Sequence, residues 1–256
     1  MSLLINSKEN QFAYIENEKG KREGSVTYVD SKENEDCMEL EDGYKFCLAP
    51  RPIKEKERMT MFIGAESGAG KSYFVREYAK SYRKMFPENP IYLISYLDED
   101  ATLDEYKEII RLDAFKPEFL NECMEMDLKA EFSNSFVIFD DIDSITSKKM
   151  KDRIYGLLNK MLRTGRHYYI SIAYVGHELH ASHELKCILN ESMTITFFPR
   201  FLNFKKLKYL LEVYLGLSKE QIKRVRSIKD RSVTFIKGSD KIILSDTQCF
   251  ILGNDF

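Results

Sequence analysis

No apolar run in this chain approaches the roughly 20 residues that a membrane-spanning helix needs. The longest, such as IYLIS and FVIF, are strand-sized, so no membrane span is expected. The opening stretch MSLLINSKENQ has no basic patch followed by a long apolar core, and no secretory signal is expected either. CxxC is missing altogether. The five cysteines, Cys37, Cys47, Cys123, Cys187 and Cys249, are scattered and odd in number, which suits free thiols in a reducing, intracellular compartment. There is no internal repeat and no low-complexity tract. Strong net charge is lacking too: −2 over 256 residues gives a field too weak to recruit nucleic acid, so any DNA contact must come from local patches.

What is present is a folded composition, with 43% hydrophobic and 12% aromatic residues in a length that suits one substantial core. Charge is uneven. Six carboxylates and no Lys or Arg lie between Glu33 and Asp42, while Pro199 to Arg231 holds ten Lys/Arg against three Asp/Glu. A solvated helix face is the ordinary explanation of such a basic run.

Residues 1–50 read as a β-rich segment with the runs FAYIE, SVTYV, CMEL and YKFCL. In CMELEDGYKFCL, Asp42-Gly43 suits the positive φ of a tight turn and predicts a hairpin. PRPIKEKER is a connector, and residues 51–256 alternate strands and helices. MTMFI, IYLISY, FVIFDD, YYISIAYV and MTITFF are the strands. Pro117 suits the first turn of a helix, and Ser218 with Gln221 forms a capping box. SVTFIK, IIL and CFIL close the chain, the last two as a terminal hairpin. Such alternation predicts an α/β fold with a mostly parallel sheet covered on both faces.

The strongest signal is AESGAGKS, residues 65–72, lying between a strand and the start of a helix. Gly68 and Gly70 permit backbone conformations that turn several N–H groups toward one anion, and the helix N-terminus adds its dipole. Lys71 can reach the β- and γ-phosphates of ATP, and the Ser72 hydroxyl can ligate magnesium. Ala65, Glu66, Ser67, Gly68, Ala69, Gly70, Lys71, Ser72 and Tyr73 are the expected nucleotide-binding residues. Ala65 stands at the usual first glycine, with Gly64 one residue earlier. FVIFDDID supplies acids at a strand end: Asp140 for the magnesium, and Asp141 to orient or deprotonate the attacking water. Asp141 and Asp143 could instead simply cap the next helix.

RTGRHYYISIAYVGH puts Gly-Arg ahead of a strand that ends in a polar residue. This arrangement resembles the FtsK–HerA superfamily of DNA-pumping ATPases. FDDID, GRHYYIS, ILNE and ITFFP together look like the genome-packaging ATPases of large double-stranded DNA viruses, over roughly residues 57 to 252. The resemblance implies a RecA-like P-loop NTPase sheet with an extra strand between the phosphate-loop and acid-bearing strands. It implies an ATPase that translocates double-stranded DNA without sequence preference, as a homo-oligomeric ring meeting capsid components, in the host cytoplasm or viral factory and in the virion. By the same resemblance Arg166 matches the family's arginine that reaches a neighbour's nucleotide, with Arg163 its competitor.

His177 takes the strand-end position where the superfamily commonly carries Gln, beside the γ-phosphate. The loop HELHASHE, with His177, His180 and His183, also invites a zinc reading. Ligands three apart diverge on a strand and spread around a helix, so they do not converge on a tetrahedral centre without a special loop. His180 and His183 read as an exposed polar loop. Lys205, Lys206, Lys208, Lys223, Arg224 and Arg226 are candidate DNA-phosphate contacts, whereas Phe201, Phe204, Tyr209 and Tyr214 fall at helical spacing and read as core. A helicase or protein-remodelling ATPase is an alternative on the same architecture. A nucleotide-binding scaffold without turnover is another.

Overall fold

The computed structural model describes residues 2–5, 11–29, 37–50, 57–179, 183–238 and 241–252. The first strands are β1 (Ser2–Ile5), β2 (Ala13–Asn17), β3 (Arg22–Val29), β4 (Cys37–Glu39) and β5 (Tyr44–Leu48). Four of them form a small antiparallel sheet in the order β1-β3-β2-β5. The expected hairpin is not formed. Gly43 does turn the chain at φ 92°, with Tyr44 N–H donating to the Glu41 carbonyl at 3.3 Å. The two strands then part: β5 pairs with β2, while Gln248–Leu252 near the chain's end pairs with β4. A tight turn fixes local backbone but not partners, and here longer-range pairing wins.

From Thr60 the expected alternation appears: β6 (Thr60–Gly64), α1 (Lys71–Met85), β7 (Ile91–Ser95), β8 (Ile109–Arg111), α2 (Pro117–Glu122), α3 (Leu128–Phe132), β9 (Phe136–Asp140) and α4 (Lys148–Thr164). There follow β10 (Ser171–Gly176), α5 (His183–Glu191), β11 (Thr194–Phe197), α6 (Phe204–Tyr209), α7 (Lys219–Ser227), β12 (Val233–Ile236), β13 (Lys241–Ser245) and β14 (Gln248–Leu252). The main sheet runs β4-β14-β13-β12-β11-β6-β10-β9-β7-β8. Its centre, β11 through β8, is parallel. The C-terminal hairpin extends it antiparallel. β10 lies between the phosphate-loop strand β6 and the acid-bearing strand β9, as the resemblance implied.

Alternate residues of the central strands serve opposite faces, as the two-residue period of a strand requires. Phe62, Val137, Phe139 and Tyr174 pack with Ile154, Leu158 and Met161 of α4. Met61, Ile63, Ile138 and Ala173 pack with Val75, Tyr78 and Tyr82 of α1, and that cluster continues into Ala13 and Val26 of the small sheet. Pro117 opens α2, and Ser218 with Gln221 closes a full capping box on α7. β8, a three-residue edge strand, has no periodic signature in KEIIRL and went unseen in the sequence.

Phe201, Phe204 and Tyr209 are not core residues; they are 37%, 49% and 37% exposed. α6 buries only Leu207, and the π-helical turn after it buries Leu210 and Leu211. Guanidinium groups instead cover two of the rings, Arg226 lying 4.2 Å from the Phe204 centroid and Arg231 5.4 Å from that of Phe201.

Candidate functional site

The C-terminal ends of β6, β7, β9 and β10 open toward one place, the usual ligand end of a parallel sheet. The loop from Ala65 leaves β6 with Gly68 and Gly70 both left-handed, at φ 76° and 105°. Those conformations suit glycine and let α1 begin directly at Lys71. Ala65 is fully buried, so its methyl is accommodated where the motif usually has glycine. At Gly64 a Cβ would meet the Phe62 ring and the Leu179 side chain at 2.5–2.6 Å, so a larger residue there would have to displace those side chains.

Lys71 is only 6% exposed. Its ammonium donates to the carbonyls of Ala65 (3.1 Å) and Glu66 (3.3 Å) and to His177 Nδ1 (3.2 Å). Burial lowers its pKa, and the nearby Asp141, Asp140 and Asp143 oppose that. His177 Nε2 lies 2.6 Å from Asp141 Oδ1. With Lys71 donating at Nδ1, the proton of a neutral imidazole is assigned to Nε2 and donated to Asp141. That bond raises the His177 pKa, against burial and Lys71. The His177 backbone N–H donates to Asp143 Oδ2 at 2.6 Å. Asp141, at φ 53°, holds a left-handed backbone that a short aspartate tolerates better than most side chains, and this turns its carboxylate toward His177.

Asp140 ends β9 and is 1% exposed. Burial, with Asp141 and Asp100 beside it, pushes its carboxyl up to about 7. Its Oδ2 is buried without a hydrogen-bond partner among the described residues. An orphaned, destabilised carboxylate next to further acids suits a divalent cation, so the residues fit magnesium.

The expected residues are therefore mostly together: Lys71, Asp140, Asp141 and His177 meet around the loop, with Ser72 on α1. Tyr73 follows, 55% exposed, with the Arg76 guanidinium 5.0 Å from its ring. Arg166 is elsewhere. It is exposed in the 3-10 turn before β10, at the opposite end of that strand from His177. Six strand residues put about 20 Å between those ends, too far to serve its own loop. Arg163 is exposed in the last turn of α4. The three-histidine zinc reading finds no support at His177, whose ring nitrogens face Lys71 and Asp141. It groups with Asp141 and Asp143 instead. His180 and the His183 side chain lie outside the described residues.

Two site residues were missed. Asp100, beyond the end of β7, accepts from Ser72 Oγ at 3.3 Å. Its signal was legible, since YLDED is a second strand ending in acids. Arg231, ahead of β12, donates from Nε to the Ala69 carbonyl at 2.8 Å and approaches that of Gly68 at 3.4 Å. Nothing in SIKDRSV marks it. Lys206 reaches Glu66 of the loop at 4.0 Å.

No family model matches the chain. The uncharacterized protein V3 of the Sputnik virophage is 32% identical over 240 residues, covering 92% of this chain and 93% of that protein. Among solved structures, the pCW3 conjugation coupling protein TcpA, in monomer form with ATPγS, superposes with a TM-score of 0.50 at 13% identity, over 88% of this chain and 73% of that one. The genome packaging NTPase B204 of Sulfolobus turreted icosahedral virus 2, with ATPγS, gives 0.49 at 12% identity, over 76% and 98%. The TcpA likeness shows the fold alone. With the order β11-β6-β10-β9-β7 around a glycine loop, this chain has a P-loop NTPase fold and belongs to the same family as the Sputnik virophage protein V3.

Proposed function

We propose that the chain is an ATP-hydrolysing motor that translocates double-stranded DNA and packages a viral genome, working as a homo-oligomeric ring. One observation carries the reading: the buried Lys71 ammonium and the orphaned Asp140 carboxylate stand at a single glycine loop. In this reading the loop amides from Gly68 to Tyr73 hold the β- and γ-phosphates, and Lys71 leaves His177 to follow them. Ser72 and Asp140 hold magnesium, with Asp100 as a further acid. Magnesium, when bound, would supply neutralisation of phosphate charge. Asp141 orients the attacking water, and His177 reports whether the γ-phosphate is present. Arg166, too far from its own loop, serves the nucleotide of a neighbouring subunit. Lys205, Lys206, Lys208, Lys223, Arg224 and Arg226 give sequence-independent phosphate contacts, with the exposed Phe201 and Phe204 beside them.

Residues 1–50 are the β-rich segment, whose β4 joins the main sheet, and 51–256 the motor domain in this proposal. Its place is the infected host cell's cytoplasm, with capsid components as partners and the virion as a destination. The viral relative supports that context. No helix among the described residues is long and apolar enough to cross a membrane.

A second reading, a nucleotide-binding scaffold without turnover, has one observation in its favour. Lys71 and Asp141 occupy both ring nitrogens of His177, leaving neither for water. ATP hydrolysis measured with and without linear duplex DNA separates the readings. The motor requires turnover stimulated by DNA and reduced to background in Lys71→Ala. Negligible turnover that Asp141→Asn leaves unchanged means a scaffold, and stimulation by RNA or protein alone means a different ATPase.

A further inference from the structure

The phosphate loop opens on one side into a cavity of about 640 Å³. That lies within the ~300–1,000 Å³ typical of small-molecule sites. Gly70, Tyr73 and Arg231 line it. So do sequence-distant parts of the fold, Tyr14, Glu16 and Lys45 on the small N-terminal sheet and Asp246 just after β13. The small sheet is fastened over this space. The Tyr14 hydroxyl lies 2.7 Å from Ser81 Oγ on α1, and the Phe46 N–H donates to the Asp246 carbonyl at 2.8 Å.

We infer that this cavity is the nucleobase and ribose site, that the N-terminal sheet is its specificity wall, and that Asp246 reads the exocyclic amine of adenine. The inference rests on the loop binding a triphosphate. A chain of phosphates gripped by the amides at Gly70 and Lys71 continues past Ser72 and Tyr73, and the nucleoside must then lie beside the first turn of α1. The described structure offers a roomy recess on that side. Tyr73 lines it with an exposed ring that has Arg76 over it, leaving the ring's other side for stacking on a base.

The walls choose among bases. Lys45 is paired with Glu16 at 3.2 Å, so that carboxylate already has a partner. Asp246 differs: its carboxylate has no hydrogen-bond partner among the described residues, and Asp230, its acidic neighbour, is taken by Thr247. Burial and Asp230 raise the Asp246 pKa, and the charge of Lys45 opposes them. An unpaired acceptor in a half-closed cavity favours a base edge that donates and opposes one that presents a carbonyl at the same place. Adenine has the 6-amino group; hypoxanthine has a 6-oxo group in its position.

Calorimetric binding of Mg-ATP, Mg-ITP and magnesium tripolyphosphate to the full chain and to Asp246→Ala tests this. The expected result is ATP at least about tenfold tighter than ITP in the wild type, a preference lost in Asp246→Ala. Tripolyphosphate, which has no base, should bind both proteins equally and so also report that the variant is folded. Equal affinity of the wild type for ATP and ITP, or an unchanged preference in the variant, overturns the inference and leaves phosphate binding standing. If the wild type binds neither ATP nor tripolyphosphate, the loop reading fails, and this one with it. Should Asp246→Ala not fold, Lys45→Ala with Glu16→Gln replaces it. Those changes must weaken ATP severalfold relative to tripolyphosphate, or the wall has no role.

Discussion

The two ends of β10 carry opposite kinds of chemistry. At one end, His177 sits in a nearly closed chain of Lys71, His177 and Asp141 beside the buried Asp140. At the other, Arg166 stands exposed in a short 3-10 turn. The first end is costly to fold and draws its buried groups from one chain. The second is inexpensive to fold and, among the described residues, has none of the candidate site's groups beside it. A site whose parts divide in this way makes chemical sense when subunits meet edge to edge, so that one subunit's exposed end completes another's buried one.

The sharpest way to break the contrast is subunit mixing. Arg166→Ala should lower DNA-stimulated turnover by about 10³, the lower bound for arginines supplied in trans. Neither Arg166→Ala nor Lys71→Ala alone should hydrolyse ATP well, yet a mixture should regain part of the activity. Steady-state assays of mixed samples check this, and no recovery would return Arg166 to a local role.

Asp140 gives the next largest effect. In the fold its carboxyl stays neutral up to about 7. In the unfolded chain it ionises near ~3.9. Metal-free folding therefore bears a penalty that grows as pH rises from about 4 to about 7 and stays in full above that, on the order of a few kcal/mol. Asp140→Asn should raise the metal-free melting temperature at pH 8 and have no such effect near pH 4, which thermal scans at the two pH values would reveal. Magnesium requires the ionised carboxylate. Its affinity should fall about tenfold for each pH unit below about 7 and level off above, as measured by titration at fixed nucleotide.

His177→Gln should have the smallest effect, within about tenfold in kcat, because an amide can accept from Lys71 and donate to Asp141 as the imidazole does. Its pH–rate profile should lose the inflection that belongs to the histidine, while His177→Ala should cost more.

These contrasts also mark what the sequence could tell. The glycine loop, the acid-ended strand and the strand that ends in His177 were legible as local patterns: a turn that needs positive φ, an apolar run, a polar strand end. The phosphate grip proposed for Lys71 follows from such patterns. The place of that last strand between the other two came from the family resemblance. What stayed hidden depends on contacts between distant segments. Arg231 reaches the loop from more than 150 positions away, and no spacing rule points to it. The hairpin at Asp42-Gly43 failed similarly, since the turn formed but β4 found a better partner in β14. The rings of Phe201, Phe204 and Tyr209 had helical spacing, yet the short α6 and the 3-10 turn before it leave them exposed, with Arg226 over Phe204 and Arg231 over Phe201. Asp141 is intermediate: its identity was read, but its left-handed backbone, which fixes where the carboxylate points, was not.

The central claim is that Lys71 and Asp140 serve one magnesium triphosphate. ATPγS binding by calorimetry, with magnesium or with EDTA, in wild type and Asp140→Asn, tests it most directly. The account requires magnesium to tighten binding clearly in the wild type and to make little difference in the variant, while metal-free binding is kept in both. Equal magnesium dependence in the two proteins, or no binding by the wild type at millimolar nucleotide, would contradict it.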